Sequence, residues 1–286
     1  MDRQAQIERV RRFRALHDRG RVLLLPNAWD AGSARVFESL GFDAIATTSA
    51  GVAWSLGYRD GEQAPFDETI AAIRRIVRVT PLPVSVDFEA GHGASPEAVA
   101  RSVRTVIDEG VAGINLEDGI RHQELRTIDD AARRIAAARE AARGSGVPIL
   151  INARVDTWIV GFGASETERI DETLRRARAY LEAGADCIYP IALAKREVIA
   201  RLCTAIRAPV NIGARPGLPS LAELGRLGVA RVSAATRLAT LALSAARDAA
   251  ERLKRTGHFD GLGSALGYES IERLFTNPEE TEGDTR

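Results

Sequence analysis

The chain of 286 residues carries 39 Lys and Arg against 39 Asp and Glu, with 45% hydrophobic and 27% charged residues. That balance supplies a full core and argues against the basic excess of a nucleic-acid binder, leaving a small molecule as the expected partner. No run approaches the ~20 apolar residues of a membrane span. The opening MDRQAQIERVRRFRALHDRG has no apolar signal-peptide segment, so a cytoplasmic protein with no membrane partner is expected.

In chain order, a leading helix over 3–19 precedes apolar runs that read as strands at 22–25, 43–48, 83–88, 112–116, 147–152, 186–190, 208–212 and 229–233. Helical patterns over 31–40, 66–79, 95–108, 128–143, 165–183, 195–206, 219–227 and 237–255 alternate with them, and a last one covers 268–275. Ser95-Pro96-Glu97 and Ser165-Glu166 open helices, and Gly41, Gly110, Gly184 and Gly228 close others. Strand–helix units in this number predict an α/β fold, a (β/α)8 TIM-type barrel, over a doubly wound open sheet. The N-terminal helix and a C-terminal helical extension lie outside the barrel, and 1–275 reads as one domain. The polar, acidic 276–286 reads as a disordered tail. Cys187 and Cys203 sit in apolar patterns and read as small buried hydrophobes.

In VSVDFEAGHG, residues 84–93, a strand runs into Asp87 and Glu89 and then a glycine turn. The next strand ends in Glu117-Asp118, the one after in Asn152, Arg154 and Asp156, and the seventh carries Asn211. The second ends in Ser49-Ala50-Gly51, with Asp60 further along its loop. Catalytic groups of a barrel sit at these strand ends. Carboxylates gathered at one mouth repel one another unless a cation sits among them, and without a His or Cys cluster the ion is Mg2+ or Mn2+ rather than zinc. Arg154 offers a fixed fork for a substrate carboxylate or an enolate oxygen, or else pairs structurally with Glu117 or Asp156.

LLLPNAWDAGSARVFESLGFDAIATTSAGVAWSLGYRDG, VSVDFEAGHG, GINLEDG and INARVDTW together resemble the isocitrate lyase/phosphoenolpyruvate mutase superfamily. The resemblance covers nearly the whole chain. It implies a Mg2+-dependent enzyme on a modified barrel that makes or breaks C–C or P–C bonds beside a 2-oxo acid, through an enolate held on the metal. It also implies a homo-oligomer, dimer or tetramer, with a C-terminal helix exchanged between neighbours. Carried over position by position, Asp87, Glu89 and Glu117 match the metal-associated acids and Asp60 a further acid beside them. Ser49, Ala50 and Gly51 match the motif that holds the substrate carboxylate, with Asp87 and Asn211 also reaching substrate. Arg154 matches the arginine that contacts the oxo acid, so Arg154, Glu117 and Asp60 are the expected catalytic residues.

Departures bear on the reaction. The K-K-C-G-H loop of the true lyases, whose cysteine is the catalytic acid, is replaced by EDGIRHQELRTIDD, and Tyr189 stands where those lyases have a strand-six glutamate. His122 is the one histidine of the shortened loop, read as exposed unless it replaces the donor. His92 lies in the metal turn, and His17 and His258 read as peripheral. The expected activity is a lyase breaking a C–C bond of a small 2-oxo or 2-hydroxy di- or tricarboxylate, by decarboxylation or retro-aldol cleavage. The alternatives are a phosphonopyruvate-type hydrolase or mutase, and a 2-oxo acid binding protein without turnover.

Overall fold

Along Val84–Asp87, Val84 and Val86 face one way and Ser85 and Asp87 the other, as the two-residue period of a strand requires. The same alternation sends Asn115 and Glu117, and Asn152 and Arg154, to one side of their strands, and isoleucines and alanines to the other. The apolar side meets helices, and the polar side meets itself. A computed structural model describes residues 2–18, 20–263 and 266–276.

The chain opens with α1 (Arg3–Ala15), β1 (Leu23–Leu25), β2 (Asn27–Ala28), α2 (Ala31–Ser39), β3 (Ile45–Thr47), α3 (Ser49–Ser55) and α4 (Phe66–Arg78). It continues through β4 (Val84–Asp87), α5 (Pro96–Asp108), β5 (Gly113–Glu117), the short β6 (Gly119–Ile120) and β7 (Glu124–Leu125), and α6 (Ile128–Gly144). Then come β8 (Leu150–Val155), α7 (Glu166–Glu182), β9 (Cys187–Pro190), α8 (Arg196–Ala205), β10 (Asn211–Gly213), α9 (Leu221–Arg226) and β11 (Arg231–Ser233). The last helices are α10 (Arg237–Thr256) and α11 (Tyr268–Phe275), with a 3-10 turn at Asp260–Leu262 between them.

The parallel sheet β2-β3-β4-β5-β8-β9 and the parallel sheet β1-β11-β10 are parts of one barrel. An Ile188–Val210 bridge joins β9 to β10, and β1 passes into β2 through Pro26, so no edge is left open. Helix α5 shows how the layers are made. Ser95 caps it, Pro96 stands in its first turn, and Val99, Val103, Val106 and Ile107 are fully buried. Each such side chain contributes roughly 1.5–3 kcal/mol. Helix α1 closes the bottom of the barrel. Gln6 donates to the carbonyls of Ile107 and Val111, Arg14 to those of Pro148 and Ile149, and Phe13 is fully buried.

Four details differ from the sequence expectation. The strand expected at 147–152 pairs over 150–155, because Pro148 has no N–H to give the ladder and the chain turns there, with Ile149 N–H on the Val147 carbonyl. The leading helix stops at Ala15 rather than at 19. Ser49-Ala50-Gly51, read as a loop, begins helix α3, whose first turn the Thr48 hydroxyl caps through Gly51 N–H. His17, read as peripheral, is buried: one ring nitrogen lies 2.9 Å from the Phe13 carbonyl, and burial with the nearby Arg231 charge lowers its pKa to about 4. Helix α11 lies against α2 of its own chain, where Arg35 reaches the Leu274 carbonyl. Of the expected tail, 277–286 lies outside the described residues.

The barrel interior holds an unpaired charge. Arg231 is fully buried, its Nη2 makes only long contacts of 3.4 Å to Ser85 and Asn115, and its Nε and Nη1 have no partner among the described residues. Removing an arginine held this way relieves desolvation. Arg231→Met is therefore expected to keep or raise the unfolding free energy, by up to roughly 4 kcal/mol in urea titration. A marked loss of stability would show that unseen partners satisfy the guanidinium.

Candidate active site

Strand register assembles the site. Asp87 stands beside Asn115, Asn115 beside Asn152, and, one rung higher, Glu117 beside Arg154 and Arg154 beside Tyr189. The first rung becomes a side-chain ladder: Asn152 Nδ2 donates to Asn115 Oδ1 at 2.8 Å, and Asn115 Nδ2 points to Asp87 Oδ1 at 3.4 Å. The other oxygen of Asp87 accepts from the Ser49 hydroxyl at 3.0 Å and lies 3.4 Å from Ser49 N–H. On the upper rung, Arg154 donates from Nε and Nη2 to both oxygens of Asp156, at 2.7 and 2.8 Å. Its remaining nitrogen, Nη1, lies 2.5 Å from Glu117 Oε2, outside hydrogen-bonding geometry. A Cβ at position 119 would stand 2.6 Å from Asp156 Oδ2, so that fork needs glycine beside it.

One arginine cannot serve every acid near it. Burial alone would raise the Asp156 pKa, but Arg154 and His122 overcome it and hold the group below the usual range. Glu117 goes the other way: burial, added to by the Asp156 and Asp87 charges, outweighs Arg154 and lifts it well above that range. Glu89 is pushed up to about 8 by burial and by the charges of Asp60, Asp87 and Glu62. Its Oε2 accepts from Glu62 N–H at 2.7 Å. Asp118 turns sideways, its Oδ2 to Arg176 at 3.0 Å and the Tyr180 hydroxyl at 2.7 Å, while its Oδ1 accepts from Asp156 N–H at 2.9 Å.

His122, expected on the surface, is half-buried between two acids. Its Nε2 is 3.5 Å from Asp60 Oδ2 and its Nδ1 3.7 Å from Asp156 Oδ2, and these carboxylates raise its pKa to about 10. It also lies 3.3 Å from Arg154 Nη2. His92 instead packs on Phe88 and Phe66, with ring centroids 5.0 and 5.3 Å away. The backbone here is strained. Among the described residues, the non-glycine positions with positive φ are Glu62, Glu89, His92, Arg121, His122, Ala192 and Ala235, and every one lies in a loop at this end of the barrel. Such strain persists where a site requires it.

A cavity of about 310 Å3 opens over these groups, lined by Ser49, Asp60, Asp87, Asn115, His122, Arg154 and Tyr189 among others. Glu89 and Glu117 line an adjoining cavity of about 640 Å3. Ala50, Gly51 and Asn211 lie outside the smaller cavity's lining. Gly51 is required by packing, since a Cβ there would stand 2.8 Å from Trp29, and Asn211 donates to the Ser233 hydroxyl at 3.3 Å from inside the barrel. Asn115 was missed by the sequence reading, although its place two residues before Glu117, on the same face of the strand, is a signal that could have found it. The His122 pairings carry no such signal, since they depend on how the 119–125 loop folds back.

The acids fit a divalent cation. Among the described residues Asp60 Oδ1 is a buried oxygen with no hydrogen-bond partner, and Asp87, Glu89 and Glu117 would, once ionised, hold more negative charge than Arg154 and His122 answer. Glu117, His122 and Asp156 also bring ligand atoms within 4.8 Å of one another. A cation seated on that triad would displace Arg154 from Asp156, so the oxygen set around Asp87 is the better fit.

A family model described as phosphoenolpyruvate phosphomutase matches residues 13–254. The chain is 39% identical over 239 residues to an uncharacterised protein of Mycobacterium tuberculosis, covering 83% of this chain and 87% of that one. It is 31% identical over 205 residues to 2-methylisocitrate lyase of Escherichia coli, covering 69% and 67%. Among solved structures, 2,3-dimethylmalate lyase, a member of the PEP mutase/isocitrate lyase superfamily, superposes with a TM-score of 0.83 at 28% identity, covering 96% and 93%.

Two outcomes are expected. Glu89 binds a proton in the folded protein that the unfolded chain, with its ordinary carboxyl pKa, has lost, so apo stability falls as pH rises toward about 8. A cation must displace that proton, and Mn2+ affinity measured by EPR should rise up to about pH 8 and level off above it. A pH-independent affinity would remove Glu89 from the cation's neighbourhood. Arg154→Ala leaves Asp156 and Glu117 buried without their partner and should cost roughly 3–5 kcal/mol of unfolding free energy; an unchanged value would show the pairs to be energetically idle.

Proposed function

From its membership of the phosphoenolpyruvate phosphomutase family, to which this chain belongs, we propose a lyase that breaks a C–C bond of a small 2-oxo or 2-hydroxy di- or tricarboxylate. The observation that carries the reading is Arg154, locked by Asp156 and lining one cavity with the Ser49–Asp87 pair. Asp87, Glu89 and Glu117, with Asp60 beside them, would hold Mg2+ or Mn2+. When bound, such an ion polarises a substrate carboxylate and the oxygen next to it.

The chain's own groups divide the remaining work. The first turn of α3, Ser49–Gly51, would border a substrate carboxylate, to which Ser49 would turn the hydroxyl that now donates to Asp87. Arg154 cannot turn, because Asp156 holds it at two points, so its charge is already placed for the negative oxygen that develops as the bond breaks. Glu117, beside the Arg154 guanidinium, would take a proton from a substrate hydroxyl only in its ionised form, the form that a nearby cation favours. His122 Nε2 carries a proton beside Asp60 at the cavity wall and would return one to carbon, the task of the cysteine this chain lacks. A phosphonate substrate is the second reading, favoured by the description of the matching family model.

Proton and phosphorus NMR with oxaloacetate, 2-methylisocitrate and phosphonopyruvate separates these readings. The expected result is EDTA-sensitive product from a carboxylate substrate, abolished in Asp87→Ala. Product from phosphonopyruvate alone would favour the second reading, and Mg2+-dependent line broadening without product would mean a binding protein.

We also propose a homo-oligomer, dimer or tetramer. Leu241, Leu243, Phe259 and Tyr268 are 64%, 57%, 71% and 78% exposed on the C-terminal helical segment, an apolar surface suited to a second copy. Sedimentation should give a multiple of 30.9 kDa, reduced by Leu243→Glu with Phe259→Glu. A monomeric parent protein would refute this.

A further inference from the structure

Beside the catalytic cavity lies another of about 360 Å3, lined by Arg59, Asp60, Gly61, Gln63, Arg121, His122 and Gln123. Asp60 and His122 line both, so the two cavities share a wall. Arg59 comes from the loop after α3, and Arg121 from the tip of the β6–β7 hairpin, where its φ is 50°. Two separate loops thus bring a guanidinium each to one hollow. Neither arginine makes an ion pair or side-chain hydrogen bond among the described residues. That sets them apart from Arg74, Arg126 and Arg134, which meet carboxylates. The one acid of the hollow, Asp60, already faces His122, and the two glutamines are neutral donors and acceptors.

We infer that Arg59 and Arg121 form a distal anion subsite that binds the far carboxylate of the substrate while its 2-oxo acid end lies over Asp87 and Arg154. This rests on the proposed 2-oxo acid chemistry and deepens it by assigning two residues, Arg59 and Arg121, to the second carboxylate of that substrate. Paired guanidinium groups suit a planar carboxylate because each offers two parallel N–H donors. An alkyl tail of the same length would leave both charges unanswered and gain little.

The test compares two ligands with the same 2-oxo acid head and chain length, 2-oxoglutarate and 2-oxovalerate, by calorimetry at saturating Mg2+. The parent protein should prefer 2-oxoglutarate by roughly tenfold, about 1.4 kcal/mol. In Arg59→Met with Arg121→Met the preference should vanish while the 2-oxovalerate Kd stays unchanged. Both positions are exposed, so the fold is not at risk, and circular dichroism of the variant verifies this. A parent protein that binds both ligands equally, or a preference that survives the double substitution, overturns the subsite and leaves the 2-oxo acid reading standing. If neither ligand binds, both fall.

Discussion

The site depends on a shortage of positive charge. Asp87, Glu89, Glu117, Asp156 and Asp60 converge at one end of the barrel around Arg154, with His122 as their other basic neighbour. Arg154 is committed to Asp156 by a two-point fork, and what remains for Glu117 does not offset its burial. Among the described residues Glu89 accepts from a single backbone N–H, that of Glu62, against three nearby acids. The acids in excess are therefore held in place by the fold rather than by partners, a state that a bound cation relieves.

The fold can hold them because its polar side chains are ordered from below. Asn152 fixes the Asn115 amide by donating to its oxygen, so the Asn115 NH2 is the end that faces Asp87. Arg231 reaches the same Asn115 oxygen from deeper in the barrel. The strained turns continue this order upward, with left-handed Glu89 and His92 after β4 and left-handed Arg121 and His122 in the hairpin after β5. Positional precision at the mouth is supplied by strands, and chemical variety by the loops they carry.

Much of this was legible in the sequence, for reasons that stop at identifiable points. Strand and helix alternation predicts the barrel because each unit has a local signature, and bounds such as 268–275 recur unchanged in the structure. Asp87, Glu117 and Arg154 stood out because a charged residue on a buried strand needs a reason. Helix α3 did not stand out: SAGVAWS has no strong helical period, and the Thr48 cap and packing against Trp29 decide it. Arg231 draws no reading from the sequence, since only barrel closure shows it to be enclosed. His122 is a loop residue until the hairpin turns it inward to Asp60 and Asp156.

Acids gathered at the mouth with too little positive charge to answer them would be poised for a divalent cation. Thermal unfolding of the parent protein and of Glu89→Gln near about pH 9, with Mg2+ and with EDTA, tests it most directly. Mg2+ should raise the Tm of the parent protein, Glu89→Gln without metal should be more stable than the metal-free parent, and its response to Mg2+ should be blunted. A Glu89→Gln protein no more stable than the metal-free parent, with the full Mg2+ response intact, would contradict it.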